Sequence, residues 1–260
     1  MLHPQLPHTL GHVTLVGAGP GDPELLTLKA VRAIQGADVI FVDDLVNPLI
    51  LQHATPHARV VHVGKRGGCQ STPQAFIEKS MVQAAREGLR VVRLKGGDPF
   101  MFGRGGEEID TLREQGITCD VVSGITAGVA AMSALSTPLT HRGLAQGVLF
   151  ITGHSQPGSD GPDWASLGHL AHTQRITLVI YMAMTQLERI TQQLLNSMPA
   201  DTAVAIVQHA TLPEQRHAAC SLSQVAHLAA AEGLGSPAVW VIGDVTRGLQ
   251  ALNPALAQAA

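Results

Sequence analysis

Glycine-rich segments that follow apolar runs are the parts of this sequence best suited to binding a ligand. The segment RLKGGDPFMFGRGGEE, residues 93–108, contains five glycines in sixteen residues. GAGPGD (17–22) and GKRGG (64–68) also follow short apolar runs. Glycine inside a regular element costs roughly 0.5–1 kcal/mol relative to alanine. We therefore interpret these glycines as backbone that lies directly against a bound molecule.

The longest of these loops also contains side chains that could hold a ligand. Asp98 follows two glycines and could accept a hydrogen bond from a hydroxyl or ammonium group. Phe100 and Phe102 supply apolar surface, and the soft thioether of Met101 suits an adenine or another thioether. Alternatively, Asp98 caps the following helix and the two phenylalanines belong to the core.

The first glycine loop leaves several interpretations open. GAGPGD has the spacing G-x-G-x-G, which departs from the dinucleotide-binding G-x-G-x-x-G. Pro20 also removes a backbone donor from the loop. Asp43 and Asp44 stand where a Rossmann protein places its ribose-binding carboxylate. A dinucleotide site, a Rossmann-type methyltransferase and a simple tight turn are all compatible with this pattern.

The elements that position these loops alternate between strand and helix. We predict strands at 13–16, 37–42, 59–63, 89–94 and 119–122, and helices at 25–34, 74–87 and 107–115. Such alternation is typical of βαβ units and a parallel sheet. Ligands of open α/β sheets bind outside the carboxyl ends of the strands, where the glycine loops would lie.

The pattern changes after residue 125, so we predict two α/β domains, 1–125 and 126–260. A helix rich in small residues is predicted at 127–135, and strands at 148–152, 176–182, 203–207 and 238–242. Residues 155–163 form the most loop-like stretch. The second domain is expected to contain a mixed sheet.

Composition excludes several classes of protein. Of the 260 residues, 45% are hydrophobic and 14% charged, which indicates a folded, well-buried chain. A net charge of −3 gives no electrostatic basis for binding nucleic acid. No apolar run is long enough for a membrane span, and the N-terminus has no secretory signal pattern. Cys69, Cys119 and Cys220 do not suggest a disulfide framework, and no HExxH motif is present. We expect a cytoplasmic protein without a metal.

Seven motifs in order resemble a known family. These are VGAGPGDPELLTLKA, GKRGG, VVRLKGGDPFMFGRGGEE, GITAG, PLTHR, TGH and YMA. Together they resemble the monofunctional uroporphyrinogen-III C-methyltransferases, which belong to the S-adenosylmethionine-dependent tetrapyrrole methylases. The resemblance implies two α/β domains with the active site in the inter-domain cleft, and a homodimer. It also implies that the first glycine loop is not a Rossmann fingerprint.

The reaction implied by the resemblance is double methylation of uroporphyrinogen III at C2 and C7, giving precorrin-2 by way of precorrin-1. S-adenosyl-L-methionine would be the methyl donor and S-adenosyl-L-homocysteine the product. Precorrin-2 serves sirohaem, cobalamin and other modified tetrapyrroles, and the sequence does not distinguish these branches.

The resemblance also assigns roles to residues at matching motif positions. Asp43 would accept a proton and Lys65 would donate one. The cofactor contacts would be Pro20, Gly96, Gly97, Asp98, Met101, Thr126, Ala127, Met182 and Ala210. The substrate contacts would be Arg66, Arg104, Glu107, Arg142 and His154. The substrate carries many carboxylates, and six of only seventeen Lys and Arg lie in or beside these loops: Lys65, Arg66, Arg93, Lys95, Arg104 and Arg142.

Some residues admit another interpretation or depart from the family pattern. Arg93 and Lys95 could simply flank a strand, and Glu107 could be a carboxylate favoured at a helix N-terminus. Relatives often have Gly where this chain has Ala183 and Ala210. Asp44 stands where relatives often have Arg.

Three other functions compete with this interpretation. A sibling methylase could act on a later precorrin or cobalt-precorrin. A non-catalytic tetrapyrrole carrier would lack a cofactor loop beside the cations, so cofactor binding would distinguish it. A Rossmann dehydrogenase would bind a nicotinamide cofactor.

Overall fold

The chain divides into two compact units, Met1–Thr126 and Ala127–Ala260, in a computed structural model that describes residues 10–64, 72–154, 158 and 161–251. Lys65 and Arg66, a predicted proton donor and a predicted substrate contact, lie outside the described residues. The first unit contains β1 (His12–Gly17), α1 (Leu28–Gln35), β2 (Val39–Val42), β3 (Arg59–His62), α2 (Gln74–Arg86), β4 (Arg90–Lys95), α3 (Gly105–Glu114) and β5 (Cys119–Val122).

The sheet of the first unit has five parallel strands in the order β3-β2-β4-β1-β5. The carboxyl ends of all five strands therefore meet at one edge. β2 is buried along its whole length, as expected of a strand covered on both faces. The predicted α/β class with a parallel sheet is confirmed.

Apolar side chains pack on both faces of this sheet. On one face, Leu15 and Phe41 pack with Met81 of α2 and Leu112 of α3. On the other face, side chains of α1 and of the turn at 48–53 pack against β2 and β4. Successive side chains of β4 point to opposite faces of the sheet. Val92 and Leu94 therefore lie on the face covered by α1. Val91, Arg93 and Lys95 lie on the face covered by α2 and α3.

An exposed ion pair joins β4 to the start of β2 at the amino end of the sheet. Arg90 binds both carboxylate oxygens of Asp38, at 3.1 and 2.7 Å, and lowers the pKa of that carboxyl from 3.8 to about 2. Since the unfolded chain binds the proton first, the stabilisation is fully present above pH 3.8 and is lost as the pH falls toward 2.

We expect Asp38→Asn to cause the small loss of stability typical of an exposed ion pair. The difference in urea midpoint between this variant and the wild-type protein should be constant from pH 5 to 7 and shrink below pH 3.8. A difference that persists at the acidic end would contradict the assigned pKa.

The second unit contains a mixed sheet in the order β6-β7-β10-β8-β9. Its elements are α4 (Ala127–Ala134), β6 (Gly147–Thr152), α5 (Trp164–Thr173), β7 (Ile176–Tyr181), α6 (Leu187–Leu195), β8 (Ala203–Gln208), β9 (Arg216–Ser221), α7 (Val225–Ala231), β10 (Ala238–Ile242) and α8 (Arg247–Ala251). β6 and β7 are parallel, whereas β10 is antiparallel to both β7 and β8. The mixed sheet predicted for this half is confirmed.

β9 was not predicted from the sequence; among the described strands it pairs only with β8, at the edge of the sheet. Its sequence RHAACS begins with two exposed polar residues, so it lacks the apolar run used to predict the other strands. Edge strands need less apolar character, because one long side of the strand faces no partner strand.

Two cysteines lie in the described part of the chain, Cys119 in the first unit and Cys220 in the second. Burial raises the pKa of both Cys119 and Cys220 to about 11, which keeps them protonated at neutral pH.

Among the described residues, no helix combines the length and apolar character required to cross a bilayer.

Candidate active site

The glycine loops after β1, β4 and β5 meet because these three strands are neighbours in the sheet. Gly19 and Gly97 exchange backbone hydrogen bonds of 2.7 and 3.1 Å, and the Ala18 N–H donates to the Lys95 carbonyl at 2.7 Å. Gly19 and Gly97 have φ of +74° and +68°, the left-handed region that favours glycine. Pro20, a predicted cofactor contact, directly follows this joined segment.

The same loops approach so closely that side chains are excluded between them. A Cβ placed on Gly124 would lie 2.1 Å from the Gly97 carbonyl oxygen, and one on Gly17 would lie 2.5 Å from Gly124 N. A Cβ on Gly96 would meet the side chain of Leu45 at 2.9 Å. The strand-end edge is therefore a surface built from backbone, as the glycine pattern predicted.

Asp98 connects the β4 loop to the β5 loop. Its Oδ1 accepts from the Phe100 N–H at 2.9 Å, and its Oδ2 accepts from the Gly124 N–H at 3.0 Å. The residue preceding α3 is Arg104, so the alternative in which Asp98 caps that helix is wrong. Phe100 is 58% exposed, which also excludes the core position considered for it. Met101 is half-buried within the same loop.

The strand order excludes the Rossmann interpretation. In a dinucleotide-binding half, β2 borders β1, so that the carboxylate after β2 faces the first glycine loop. Here β4 lies between β1 and β2. Asp43 N–H accordingly donates to the Leu94 carbonyl at 3.1 Å, and its side chain lies against β4.

Beneath this edge lies a cluster of four charged side chains: Asp43, Arg93, Lys95 and Glu108. Arg93 Nη2 donates to Asp43 Oδ1 at 2.6 Å, and Arg93 Nε donates to Glu108 Oε1 at 3.0 Å. Lys95 Nζ lies 3.2 and 3.1 Å from the two Glu108 oxygens and 3.7 Å from Asp43 Oδ2. The cluster pairs two cations with two carboxylates.

Burial in this cluster is unequal. The side chains of Arg93, Lys95 and Glu108 are 2%, 4% and 0% exposed, whereas that of Asp43 is 30% exposed. Burial, followed by the proximity of Arg93, lowers the pKa of the Lys95 ammonium, while Glu108 and Asp43 oppose that shift. Asp43 is therefore the member of the cluster that an arriving molecule can reach.

Sequence reasoning missed most of this cluster. Arg93 and Lys95 were counted among the six cations in or beside the loops, with flanking a strand as the alternative, and Glu108 was given no role. The alternation of β4 places both cations on one buried face, and Glu108 is the first-turn residue of α3 that reaches them. The sequence signal that could have indicated this cluster is a pair of cations two residues apart, Arg93 and Lys95, in an otherwise apolar strand.

Arg104 and Glu107, both predicted substrate contacts, bind each other at the start of α3. Arg104 Nε donates to both Glu107 oxygens at 3.1 Å, and both side chains are more than half exposed. This hydrogen-bonded pair raises the pKa of Arg104 and lowers the pKa of Glu107. Arg104 has φ of +57°, an uncommon conformation for a non-glycine residue. A carboxylate ligand would compete with Glu107 for this guanidinium.

In the second unit, unusual backbone conformations occur at one predicted contact, Met182, and on both sides of another, Ala210. Met182, at the end of β7, has φ of +53° and is 47% exposed. His209 and Thr211, on either side of Ala210, have φ of +51° and +67°. Non-glycine residues with such backbones cluster at ligand sites, where the surrounding structure maintains them.

The two alanines that depart from the family pattern have buried methyl groups. Ala183 is fully buried, and a Cβ placed on Gly153 would lie 2.7 Å from the Ala183 methyl, so that methyl occupies space left by Gly153. Ala210 is 7% exposed and packs with Val207 and Val239.

The remaining predicted contacts lie on loops and at a helix start. Thr126 ends the first unit, and Ala127 begins α4, whose Gly128 N–H donates to the Tyr181 hydroxyl at 2.7 Å. Arg142 and His154 are both exposed, on the loops before and after β6. Within the described residues, no group of three His, Cys, Asp or Glu is arranged to hold a metal ion.

Comparisons with known proteins identify the family of the chain. The model of the tetrapyrrole (corrin/porphyrin) methylases matches residues 12–226. The chain is 53% identical over 239 residues to a Pseudomonas aeruginosa protein named uroporphyrinogen-III C-methyltransferase, covering 91% of this chain and 95% of that one.

Two solved structures are also similar to the chain. A uroporphyrin-III C-methyl transferase from Thermus thermophilus, complexed with S-adenyl homocysteine, matches with a TM-score of 0.76 and 39% identity, over 91% of this chain and 99% of that one. A cobalt precorrin-4 methyltransferase of cobalamin biosynthesis matches with a TM-score of 0.79 and 27% identity, over 95% and 99%.

Proposed function

The chain belongs to the tetrapyrrole (corrin/porphyrin) methylases, and from that membership we propose that it methylates uroporphyrinogen III at C2 and C7, giving precorrin-2 by way of precorrin-1. It is an S-adenosylmethionine-dependent methyltransferase. The observation that carries the proposal is the backbone-lined edge where the loops after β1, β4 and β5 meet around Asp98. The high identity to a uroporphyrinogen-III C-methyltransferase supports the choice of substrate.

The glycine edge fits the polar parts of S-adenosylmethionine. Among the described residues, a Cβ on Gly97 would have one neighbouring atom within 4 Å, Thr126 Cα at 3.9 Å, so the described part of the first unit leaves space above this glycine. Each Asp98 oxygen accepts one backbone N–H and retains capacity for a second donor, such as a ribose hydroxyl. Gly96, Gly97, Asp98 and Met101 would hold the donor, with Pro20, Thr126, Ala127, Met182 and Ala210 completing its contacts.

The donor supplies an electrophilic methyl group, which an electron-rich pyrrole carbon attacks directly. The protein therefore lowers the barrier mainly by holding the two reactants in position. Asp43 is suited to accept the proton that the ring loses, since its carboxylate reaches the strand-end edge and its orientation is fixed by Arg93. Lys65 would return a proton to the ring.

Cations anchor the substrate's carboxylates in this proposal. Arg142 is exposed and would bind a substrate carboxylate. Arg104 would exchange Glu107 for a substrate carboxylate, for which a guanidinium provides a bidentate match. Arg66, Glu107 and His154 would contact neighbouring groups of the macrocycle. The resemblance also supports a homodimer, which sedimentation analysis would test.

The proposed function is tested by anaerobic incubation of the purified protein with uroporphyrinogen III and S-adenosylmethionine, followed by mass spectrometry. We expect two added methyl groups, with a transient singly methylated species. Asp43→Asn should reduce turnover roughly 100-fold or more, in the range of general-base catalysis. Asp38→Asn, at the opposite end of the same strands, is the matched control and should retain activity.

The similarity to a cobalt precorrin-4 methyltransferase favours one second candidate, a methylase of a later precorrin or cobalt-precorrin ring. Binding of S-adenosylhomocysteine without any methylation of uroporphyrinogen III would favour that candidate. Methylation of uroporphyrinogen III would exclude a non-catalytic carrier.

A further inference from the structure

We propose that Glu108 is a positioning residue of the active site, which fixes Arg93 and Lys95 and through them the orientation of the Asp43 carboxylate. The inference rests on the proposed function in one respect, since it takes Asp43 as the proton acceptor. Glu108 is fully buried, so it acts through its neighbours and does not contact the substrate itself.

The hydrogen bonds of Arg93 show how the orientation is transmitted. Its Nε donates to Glu108, its Nη2 donates to Asp43, and its Nη1 lies 3.4 Å from the carbonyl oxygens of Phe41 and Leu94. The planar guanidinium is thus fixed from α3, β2 and β4 at once. Because Arg93 is rigidly held, Asp43 Oδ1 is held with it.

The second Asp43 oxygen, Oδ2, remains available to accept a proton. Oδ2 makes no hydrogen bond within the described residues, and its nearest cation is Lys95 Nζ at 3.7 Å. Lys95 is held back by Glu108, whose two oxygens lie 3.2 and 3.1 Å from Nζ. Glu108 therefore prevents the Lys95 ammonium from forming a hydrogen bond with Asp43 Oδ2. Glu108 Oε1 also accepts a hydrogen bond from Gln74 Nε2 at 3.1 Å.

Stability alone does not account for this cluster. Replacing buried ion pairs with well-packed apolar residues is often neutral or stabilising, because desolvation offsets the attraction between the charges. Here Arg93, Lys95 and Glu108 are all removed from water on a strand face that is otherwise apolar. The three buried side chains connect to one partly exposed carboxylate, that of Asp43. Such an arrangement is expected if their role is to orient Asp43.

The first test is steady-state kinetics of Glu108→Gln, which removes the charge but keeps the size. We expect kcat to fall roughly 100-fold, the scale of a small misplacement of a reacting group. The KM for S-adenosylmethionine and the Kd for S-adenosylhomocysteine should change less than about 3-fold, a range below 1 kcal/mol in binding free energy. Glu108→Asp should restore part of kcat. Asp38→Asn, which breaks an exposed Arg–carboxylate pair on the same two strands, is the control.

Glu108→Gln leaves an excess positive charge in the interior and could prevent folding. The double variant Lys95→Met/Glu108→Leu restores neutrality with apolar side chains of similar size, so it is expected to fold. Positioning by Glu108 predicts that this folded protein also binds S-adenosylhomocysteine but has the reduced kcat. A kcat within 3-fold of the wild-type value in the double variant would overturn the inference, since RT ln 3 is about 0.65 kcal/mol.

An NMR measurement separates failure of this inference from failure of the proposed function. In ¹⁵N-labelled wild-type protein the Arg93 Nε–H should be protected from hydrogen exchange with solvent. The Asp43→Asn substitution should alter the chemical shift of this Nε–H. Lys95→Met/Glu108→Leu, in which Arg93 Nε has lost its acceptor, should reduce the protection; full protection in that variant would overturn the inference. A wild-type protein inert toward uroporphyrinogen III, yet with the expected NMR behaviour, would overturn the proposed function and leave the positioning of Asp43 by Glu108 supported.

Discussion

Replacing Gly124 with alanine is expected to destabilise the first unit by about 3 kcal/mol. The new methyl carbon would lie 2.1 Å from the Gly97 carbonyl oxygen and 2.9 Å from backbone atoms of Gly17. Both obstacles are backbone atoms, of the last residue of β1 and of the loop after β4, and backbone has no rotamer to change. For a unit of 126 residues, this loss corresponds to a fall in Tm of roughly 10 °C.

Circular dichroism is the appropriate measurement, because both tryptophans, Trp164 and Trp240, lie in the second unit. Gly106→Ala is the matched control. A Cβ on Gly106 would meet no atom within 4 Å, and the residue lies in the first turn of α3. This control should be neutral or stabilising by up to about 1 kcal/mol. Equal Tm values for the two variants would contradict the close approach of the three loops.

Replacing Asp98 with alanine is expected to weaken S-adenosylhomocysteine binding roughly 10- to 100-fold, as for loss of a hydrogen bond to a charged group. Two effects combine. The substitution removes the proposed acceptor for the cofactor's hydroxyls. It also leaves the Phe100 and Gly124 N–H groups without their acceptor, which loosens the link between the β4 and β5 loops.

Isothermal titration calorimetry measures this loss directly, and Asp98→Asn separates its two parts. The asparagine oxygen can accept one of the two backbone N–H groups, while its amide nitrogen would face the other donor. We therefore expect an intermediate affinity for Asp98→Asn. An unchanged Kd in Asp98→Ala would show that Asp98 acts only within the loop structure and does not contact the donor.

Local sequence was sufficient for most of the fold. The alternation of short apolar runs with helical segments predicted the five strands of the first unit. The helices α2 and α3 are each followed by a glycine with positive φ, Gly88 and Gly116, which is a common end of a helix. These signals depend on neighbours within a few residues, so they are readable from sequence. β9 was missed because an edge strand carries too weak an apolar pattern.

The position of the glycine loops at the strand ends was also predicted from sequence alone, because glycine density after an apolar run has few other physical causes. The family could be assigned from the motifs by themselves, because they are long and occur in a fixed order along the chain.

The tertiary structure decided what depends on distant parts of the chain. The insertion of β4 between β1 and β2 excluded the Rossmann interpretation, and no local pattern encodes strand order. The same register buries Arg93 and Lys95 against Glu108 and places Arg93 beside Asp43, which is fifty residues earlier in the chain. In sequence these are four ordinary charged residues. They become one cluster only when a parallel sheet and the helix over it remove three of them from water.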